Sequence, residues 1–150
     1  METGIEHFKA AFDLKEADAS RYSPLVLAYV GDAVYELMIR TKVVNGGNTQ
    51  VNKLHRRSAE LVKAATQAAM IRAVEEELTP EEHAVYKRGR NAKSSTMAKH
   101  ATMKDYRTAT GFEALTGWLY LSEQYDRLFE LVSRAMIKIG ALDKENPDEI

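Results

Sequence analysis

The sequence contains no cysteine among its 150 residues. This absence excludes a disulfide framework, a thiolate zinc site and a cysteine nucleophile, and it fits a reducing compartment. No apolar run reaches the roughly 18 residues that a membrane span needs, and the first residues carry acids where a secretory signal needs a basic region. We therefore expect a cytoplasmic protein without a membrane association.

Glycine and proline are also scarce, with eight and three residues, while 45% of the residues are hydrophobic and 29% are charged. This composition excludes disordered, collagen-like and low-complexity chains. The length suits one domain with a single core. We expect that domain to span residues 1–140 and to be followed by a flexible acidic tail at 141–150.

Acidic residues are absent between Lys87 and Lys104, where six Lys or Arg residues occur. The formal net charge of the chain is −1, so the remaining residues carry 15 basic against 22 acidic side chains, or −7. Charge gathered in this way predicts a local anion-binding segment on an otherwise acidic protein. The alternative is a solvated charged loop.

Hydrophobic residues recur at helical spacing, and no segment alternates in the manner of a strand, which predicts an all-α fold. The expected helices span about 3–17, 24–44, 49–78 (as one helix or two), 80–88, 105–122 and 124–139. Ser-Pro at 23–24 and Thr-Pro at 79–80 are helix starts, whereas Gly89 and Gly140 are expected helix ends. The stretch from Arg90 to Lys104 has no clean period and is expected to be an exposed functional loop.

The helix expected at 24–44 is apolar nearly all round, so we expect it at the centre of the bundle. Gly31 and Asp32 lie in the middle of this helix, and both residue types are unfavourable there. A glycine gives up about 1 kcal/mol of helix propensity, and a buried carboxylate is costly unless it is paired, protonated or bound to a cation. Asp32 is therefore either a functional residue or one half of a buried pair with an arginine. Glu36 is expected to pair with Arg40 on the helix surface.

Glu113 stands just before a second apolar run, with Gly117 one turn later. If its helix crosses the earlier one near Asp32, the two carboxylates converge as hard oxygen ligands for Mg²⁺, which takes one or two protein carboxylates and keeps several waters. Taken alone, Glu113 also fits a surface or ion-paired glutamate.

These motifs resemble those of a known family. Val30 to Leu37 (VGDAVYEL) resembles the signature helix of the ribonuclease III endonuclease domain, and Phe112 to Gly117 (FEALTG) resembles its second catalytic motif. Lys87 to Ser94 (KRGRNAKS) resembles the basic segment of the short bacterial branch, Mini-ribonuclease III, which has no double-stranded-RNA-binding domain. The resemblance covers roughly Leu25 to Gly140.

The resemblance implies a ribonuclease III helical bundle and a Mg²⁺-dependent endoribonuclease that cuts double-stranded RNA to 5′-phosphate and 3′-hydroxyl ends. Asp32 and Glu113 would be its catalytic metal ligands. The implied substrate is the precursor of 23S ribosomal RNA, and a large-subunit ribosomal protein is a candidate partner. The implied RNA-binding residues all come from the basic segment: Lys87, Arg88, Arg90, Asn91, Lys93 and Lys99.

A symmetric homodimer is also expected, because cutting both strands of a duplex needs two sites related by a two-fold axis. The helix expected at 24–44 has too little polar surface for an outward-facing position in a monomer. The partner subunit should therefore cover part of Leu25 to Ile39 or part of Trp118 to Leu121.

The chain departs from the larger members of the family at three acidic positions. Where the signature of those members has two glutamates, this chain has Leu25 and Ala28. Where their second motif has an aspartate, this chain has Thr110. Only Asp32 and Glu113 carry over, which favours a single well-held Mg²⁺. Thr110 is a candidate ligand through a water molecule, or else a structural helix residue.

Two other functions fit the sequence less closely. The missing acids are compatible with a catalytically weak or inactive helical RNA-binding or ribosome-assembly module. An all-α nucleotide pyrophosphohydrolase needs tight Glu-x-x-Glu clusters, whereas the glutamates at 75–77 and 81–82 are consecutive and are expected to be solvated. The four histidines lack zinc-ligand spacing and are expected at the surface or facing RNA.

Overall fold

The computed structural model describes residues 4–93 and 102–143, and these residues form helices and no strand. The prediction of an all-α fold is confirmed. The α-helices are α1 (Gly4–Ala11), α2 (Pro24–Asn45), α3 (Val51–Val62), α4 (Ala64–Val74), α5 (Pro80–Asn91), α6 (Met103–Leu121) and α7 (Tyr125–Lys138), with 3₁₀ turns at Ala19–Arg21 and Glu75–Glu77. In the described ranges no helix is both long enough and apolar enough to cross a bilayer.

Helix α6 occupies the centre of the bundle and packs against α2, α4, α5 and α7. Two of its buried threonines, Thr110 and Thr116, satisfy their hydroxyls by donating to carbonyls of the preceding turn. Its buried residues are Thr108, Ala109, Thr110, Gly111, Phe112, Ala114, Leu115, Thr116, Gly117, Trp118 and Leu119. The small side chains in this set let neighbouring helices approach closely.

The expectation that α2 is the central helix was wrong. Helix α2 buries one face, which includes Leu27, Tyr35 and Ile39. On its other side Tyr29 is 81% exposed and Leu37 is 68% exposed. The apolar residues all round α2 therefore serve two surfaces, of which only one faces the core of this chain.

Glycines mark the points where helices cross α6. A Cβ added to Gly117 would lie 1.9 Å from the carbonyl oxygen of Leu27 on α2, and one added to Gly89 would lie 2.6 Å from the Cβ of Ala114. Gly89 is buried inside α5, which continues to Asn91. The prediction that Gly89 ends its helix was therefore wrong, because this glycine serves a helix crossing rather than a cap.

The segment from 49 to 78 forms two helices, as one of the two alternatives predicted. Lys63 takes an extended conformation, with φ −67° and ψ 154°, and separates α3 from α4. This break changes the buried face of the second helix. Ala65 and Ala69 are exposed, whereas Gln67 is buried.

Several predicted boundaries also need correction. Helix α1 ends at Ala11 rather than near residue 17, and Asp13 follows it with a left-handed φ of 52°. The expected functional loop at 90–104 is helical at both described ends, in α5 and α6. The predicted cap at Gly140 is confirmed by its φ of 79°. Of the predicted tail at 141–150, residues 144–150 lie outside the described part of the chain.

The acids at 75–82 are not all solvated, contrary to expectation. Glu82 completes the capping box with Thr79 and is 3% exposed. The Arg127 guanidinium on α7 donates to both of its carboxylate oxygens, at 2.8 and 2.9 Å. Glu77 pairs with Arg134 at 2.6 Å. These ion pairs join the 3₁₀ turn at Glu75–Glu77 and the start of α5 to α7, which is a structural role.

Candidate functional site

The site forms where α2 crosses α6. A Cβ on Gly31 would lie 1.7 Å from the carbonyl oxygen of Glu113, so the two helix backbones are in direct contact. Asp32 follows that glycine, and its carboxylate lies within hydrogen-bonding reach of the Glu113 carboxylate. The sequence motifs predicted this convergence, and the crossing supplies the physical reason for the glycine between Val30 and Asp32.

Glu113 is a strongly perturbed acid. Burial, followed by the hydrogen bond and negative charge of Asp32 and the charge of Glu36, raises its pKa to about 9, and a hydrogen bond from Gln67 opposes this rise. Two carboxylates held together in a partly buried place share a proton or bind a cation. The electrostatics of the pair thus favour an added positive charge.

Asp32 itself is exposed, which corrects the expectation of a carboxylate buried in the bundle. In the described ranges, no Lys or Arg pairs with Asp32 or Glu113, so the buried Asp–Arg pair is not what the structure contains. Glu36 pairs with Arg40 at 3.2 Å, as expected. The acidic site therefore has one exposed and one half-buried carboxylate.

Gln67 is a neighbour of the site that the sequence patterns missed. It is 3% exposed, its Nε2 donates to the carbonyl oxygen of Val62 at 2.7 Å, and its amide acts to lower the pKa of Glu113. The break at Lys63 turns it toward α6. No glycine or proline marks that break, so periodicity alone could not have found the residue.

The donor set fits one hard divalent cation. Among residues 4–93 and 102–143 there is no group of three or more His, Cys, Asp or Glu side chains that could hold a metal ion. Mg²⁺ is commonly held by one or two carboxylates and several waters, which matches Asp32 and Glu113. Thr110 is buried on α6, and its hydroxyl donates to the Tyr106 carbonyl oxygen at 2.9 Å. Its role through water stays a prediction.

The basic residues cluster at the end of α5. Lys87, Arg88, Asn91 and Lys93 are exposed, whereas Arg90 is half-buried and stacks over the Tyr86 ring at 5.3 Å. The predicted Lys99 lies outside the described residues. Helix α5 crosses α6 next to Thr110 and Ala114, the residues around Glu113.

Two further basic residues, Arg72 and Arg107, join this end from other helices, and both lie outside the charge count over 87–104. A depression of about 500 Å³ is lined by Arg72 from α4 and Lys104 and Arg107 from α6, together with Arg90. Arg72 pairs with Asp105 at 3.0 Å. Four basic residues from three helices, α4, α5 and α6, thus line one depression.

An apolar groove of about 1040 Å³ borders the acidic site. Asp32 lies on its wall, and the exposed side chains of Tyr29, Leu37 and Phe129 lie along it. Apolar exposure of this extent on one face is typical of a surface that another molecule covers. Phe129 on α7 was not among the expected interface residues, whereas Trp118, which was among them, is buried in the core.

The chain is similar to proteins of known class. Residues 25–124 match the ribonuclease III domain. Mini-ribonuclease 3 of Enterococcus faecalis is 47% identical over 130 residues, which cover 85% of this chain and 98% of that protein. Mini-ribonuclease 3 of Clostridium tetani is 48% identical over 138 residues and 91% of each chain.

A solved structure is also similar. The crystal structure of a protein from Fusobacterium nucleatum matches with a TM-score of 0.72 and 28% identity, and the match covers 79% of this chain and 96% of that one.

Proposed function

The chain belongs to the ribonuclease III family and is an endoribonuclease of its Mini-ribonuclease 3 branch, and from this premise we propose that it hydrolyses double-stranded RNA with Mg²⁺ held at Asp32 and Glu113. The observation that carries the proposal is the crossing of α2 and α6 at Gly31, which brings the two carboxylates together. Since the described residues supply no cationic partner for the pair, a divalent ion is the charge that fits it.

Bound Mg²⁺ supplies Lewis-acid stabilisation of the scissile phosphate and lowers the pKa of the attacking water. Asp32, which is exposed, and Glu113, which is half-buried, would hold the ion. Arg88, Arg90 and Lys93 bind neighbouring phosphates by charge, so they hold a duplex without reading its sequence. The implied products have 5′-phosphate and 3′-hydroxyl ends.

We also propose a symmetric homodimer in which the apolar groove is the interface. One acidic site cuts one strand, and a two-fold axis supplies the second site for the other strand. The exposed Tyr29, Leu37 and Phe129 support this assembly, because they form one apolar surface beside Asp32.

The physiological substrate that we propose is the precursor of 23S ribosomal RNA, processed at its ends in the cytoplasm with a large-subunit ribosomal protein as a candidate partner. The family resemblance is the support for this choice. A strain lacking the gene should accumulate precursor with unprocessed ends, as primer extension would measure.

The cleavage reaction tests the proposal directly. Purified protein should fragment a long RNA duplex in the presence of Mg²⁺, and addition of EDTA should stop the cleavage. An equal mass of single-stranded RNA should stay intact. The second candidate is a helical RNA-binding module, which the replacement of family acids by Leu25, Ala28 and Thr110 favours. Binding of the duplex without cleavage at any Mg²⁺ concentration would support that module and overturn the nuclease.

A further inference from the structure

The depression between α4, α5 and α6 is a concave basic surface that is separate from the acidic site. Its volume is about 500 Å³, and its wall carries four cations from three helices, which are Arg72, Arg90, Lys104 and Arg107. Glu75 is the only acid among the described residues that line it, and its carboxylate already has the His83 ring as a hydrogen-bond partner at 3.1 Å. Charges of one sign around a concavity focus the electrostatic field within it, which favours an anionic ligand.

Most of this positive charge has no counter-charge within the described chain. Arg72 forms an ion pair with Asp105 at 3.0 Å. Over residues 4–93 and 102–143, no carboxylate forms an ion pair with Arg90, Lys104 or Arg107. Cations held around one depression repel each other, and an anion bound between them relieves that repulsion.

Two of the four cations are held in place by neighbouring side chains. The Arg90 guanidinium stacks over the buried ring of Tyr86 at 5.3 Å. Stacking uses the flat face of the guanidinium, so the N–H donors at its edge stay available to a phosphate. Arg72 is anchored by its bond to Asp105 in the first turn of α6. Because these side chains are already ordered, binding an anion costs them little further conformational entropy.

The depression is continuous with the basic end of α5. Arg90 and Asn91 lie on its wall, and the exposed Lys87, Arg88 and Lys93 come from the same end of that helix. A small free anion would use the depression alone, whereas successive phosphates of a nucleic acid backbone can occupy both surfaces. The continuity of the two surfaces therefore favours RNA as the source of the phosphate.

We propose that this depression binds backbone phosphates of the RNA substrate, and that Arg72, Lys104 and Arg107 are phosphate-binding residues alongside the basic end of α5. The inference rests on the RNA substrate proposed above and extends its binding surface to α4 and α6. Phosphate contacts fix where a duplex lies and carry no sequence information directly. The depression therefore sets the position of the duplex on the protein rather than its sequence preference.

Fluorescence anisotropy of a labelled RNA duplex in EDTA measures binding to the full chain without cleavage and without a metal ion. Lys104→Gln together with Arg107→Gln should weaken binding, and the slope of log affinity against log salt should become shallower by about two units, one for each phosphate contact. Both side chains are exposed, so the variant should fold, as circular dichroism would check. Lys104→Arg with Arg107→Lys keeps both charges and should keep the wild-type slope. Lys53→Gln with Arg56→Gln is the matched control, because it removes two exposed charges from α3, and it should also keep that slope.

The outcomes separate this inference from the proposed function. A wild-type slope in the Lys104→Gln, Arg107→Gln protein would overturn the depression as an RNA site and leave the basic end of α5 unaffected. An equal loss in the α3 control would show that net charge alone sets the slope, and would also refute the inference. A wild-type protein that bound no duplex at any salt concentration would instead overturn the RNA substrate.

Calorimetry with inorganic pyrophosphate distinguishes the two sources of phosphate. If the Lys104→Gln, Arg107→Gln variant lost binding of pyrophosphate but bound the duplex like the wild type, the depression would be a site for a free phosphate ligand. That result would overturn its assignment to RNA. A parallel loss of pyrophosphate and duplex binding is the result that we expect.

Discussion

The backbone of Gly31 on α2 touches the backbone of Glu113 on α6, where an added methyl group would meet the Glu113 carbonyl oxygen at 1.7 Å. Gly117 makes the reciprocal contact with Leu27. The contact that packs these two helices also sets Asp32 beside Glu113. Stability of the bundle and geometry of the candidate site therefore depend on the same glycine.

Gly31→Ala should destabilise the protein by about 3 kcal/mol or more, or prevent folding, because the new methyl group meets backbone that cannot move without separating the helices. Urea unfolding followed by circular dichroism measures the change. Gly4→Ala is the control, since nothing lies within 4 Å of a Cβ there, and its stability should match the wild type. A Gly31→Ala protein as stable as this control would contradict the crossing.

The sequence predicted the helix ends that depend on interactions between neighbouring residues. The Ser23-Pro24 start, the capping box of Thr79 and Glu82 and the left-handed Gly140 all involve residues within one turn of each other. The order of the two acidic motifs likewise predicted the Asp32–Glu113 pair. Their meeting follows from the family's helix arrangement, which the resemblance supplied.

Long-range packing decided the features that were missed. Gly89 looks locally like a helix stop, but Gly111 and Ala114 on α6 make it an interior residue. Gln67 is a polar residue whose burial depends on the break at Lys63, which no local signal marks. Exposed and buried apolar faces of α2 are alike in composition, so no periodicity separates an interface from a core.

Asp32→Asn should abolish cleavage and leave the fold and duplex binding intact. The amide keeps the shape but removes the charge that holds Mg²⁺, and Asp32 is exposed, so the melting temperature should not fall. Cleavage of a labelled duplex and thermal unfolding are the two measurements. The matched control is Asp143→Asn, another exposed aspartate, which should cleave normally. Substantial cleavage by Asp32→Asn would rule out its role as a ligand.

Replacing Arg88, Arg90 and Lys93 together with Gln should weaken binding to duplexes of any sequence. Each phosphate contact contributes about one unit to the slope of log affinity against log salt, so the slope should become shallower by about two to three units. Fluorescence anisotropy over a salt series measures it. The control exchanges the same three residues without loss of charge (Arg88→Lys, Arg90→Lys and Lys93→Arg) and should keep the wild-type slope. If the Gln variant kept the wild-type slope, the RNA would bind at another surface of the protein.

The pair of Glu82 and Arg127 should make stability depend on pH. Burial would raise the pKa of Glu82, but the hydrogen bonds from Arg127 and Thr79 outweigh it, so the pKa lies below the ordinary value. The stabilisation is therefore complete above about pH 4.3, the usual value for an unfolded Glu, and is lost as pH falls through the lower folded-state pKa.

Glu82→Gln tests this dependence. The variant should lose about 2 kcal/mol of stability at pH 7, because it removes the charged hydrogen-bond partner of Arg127 and leaves that side chain, among the described residues, only the 3.7 Å ion pair with Glu130. Its stability should approach that of the wild type at low pH. Urea unfolding at a series of pH values gives the difference. Glu76→Gln, an exposed acid nearby, should show no such trend. A loss of stability that stayed constant with pH would exclude the ion pair as its cause.

The groove of α2 and α7 should be a homodimer interface. Sedimentation equilibrium at micromolar concentration is expected to give twice 16.9 kDa, about 34 kDa. Leu37→Arg should shift the mass to about 17 kDa, because a charge buried in an apolar interface lacks a partner. Val51→Arg, at a residue that is 63% exposed on α3 and outside the groove, should remain dimeric. Asp32 lies on the groove wall, and a monomer carries only one such acidic site. The Leu37→Arg monomer should therefore also lose staggered cuts in both strands. A stable 17 kDa species that still made such cuts would refute the two-site geometry.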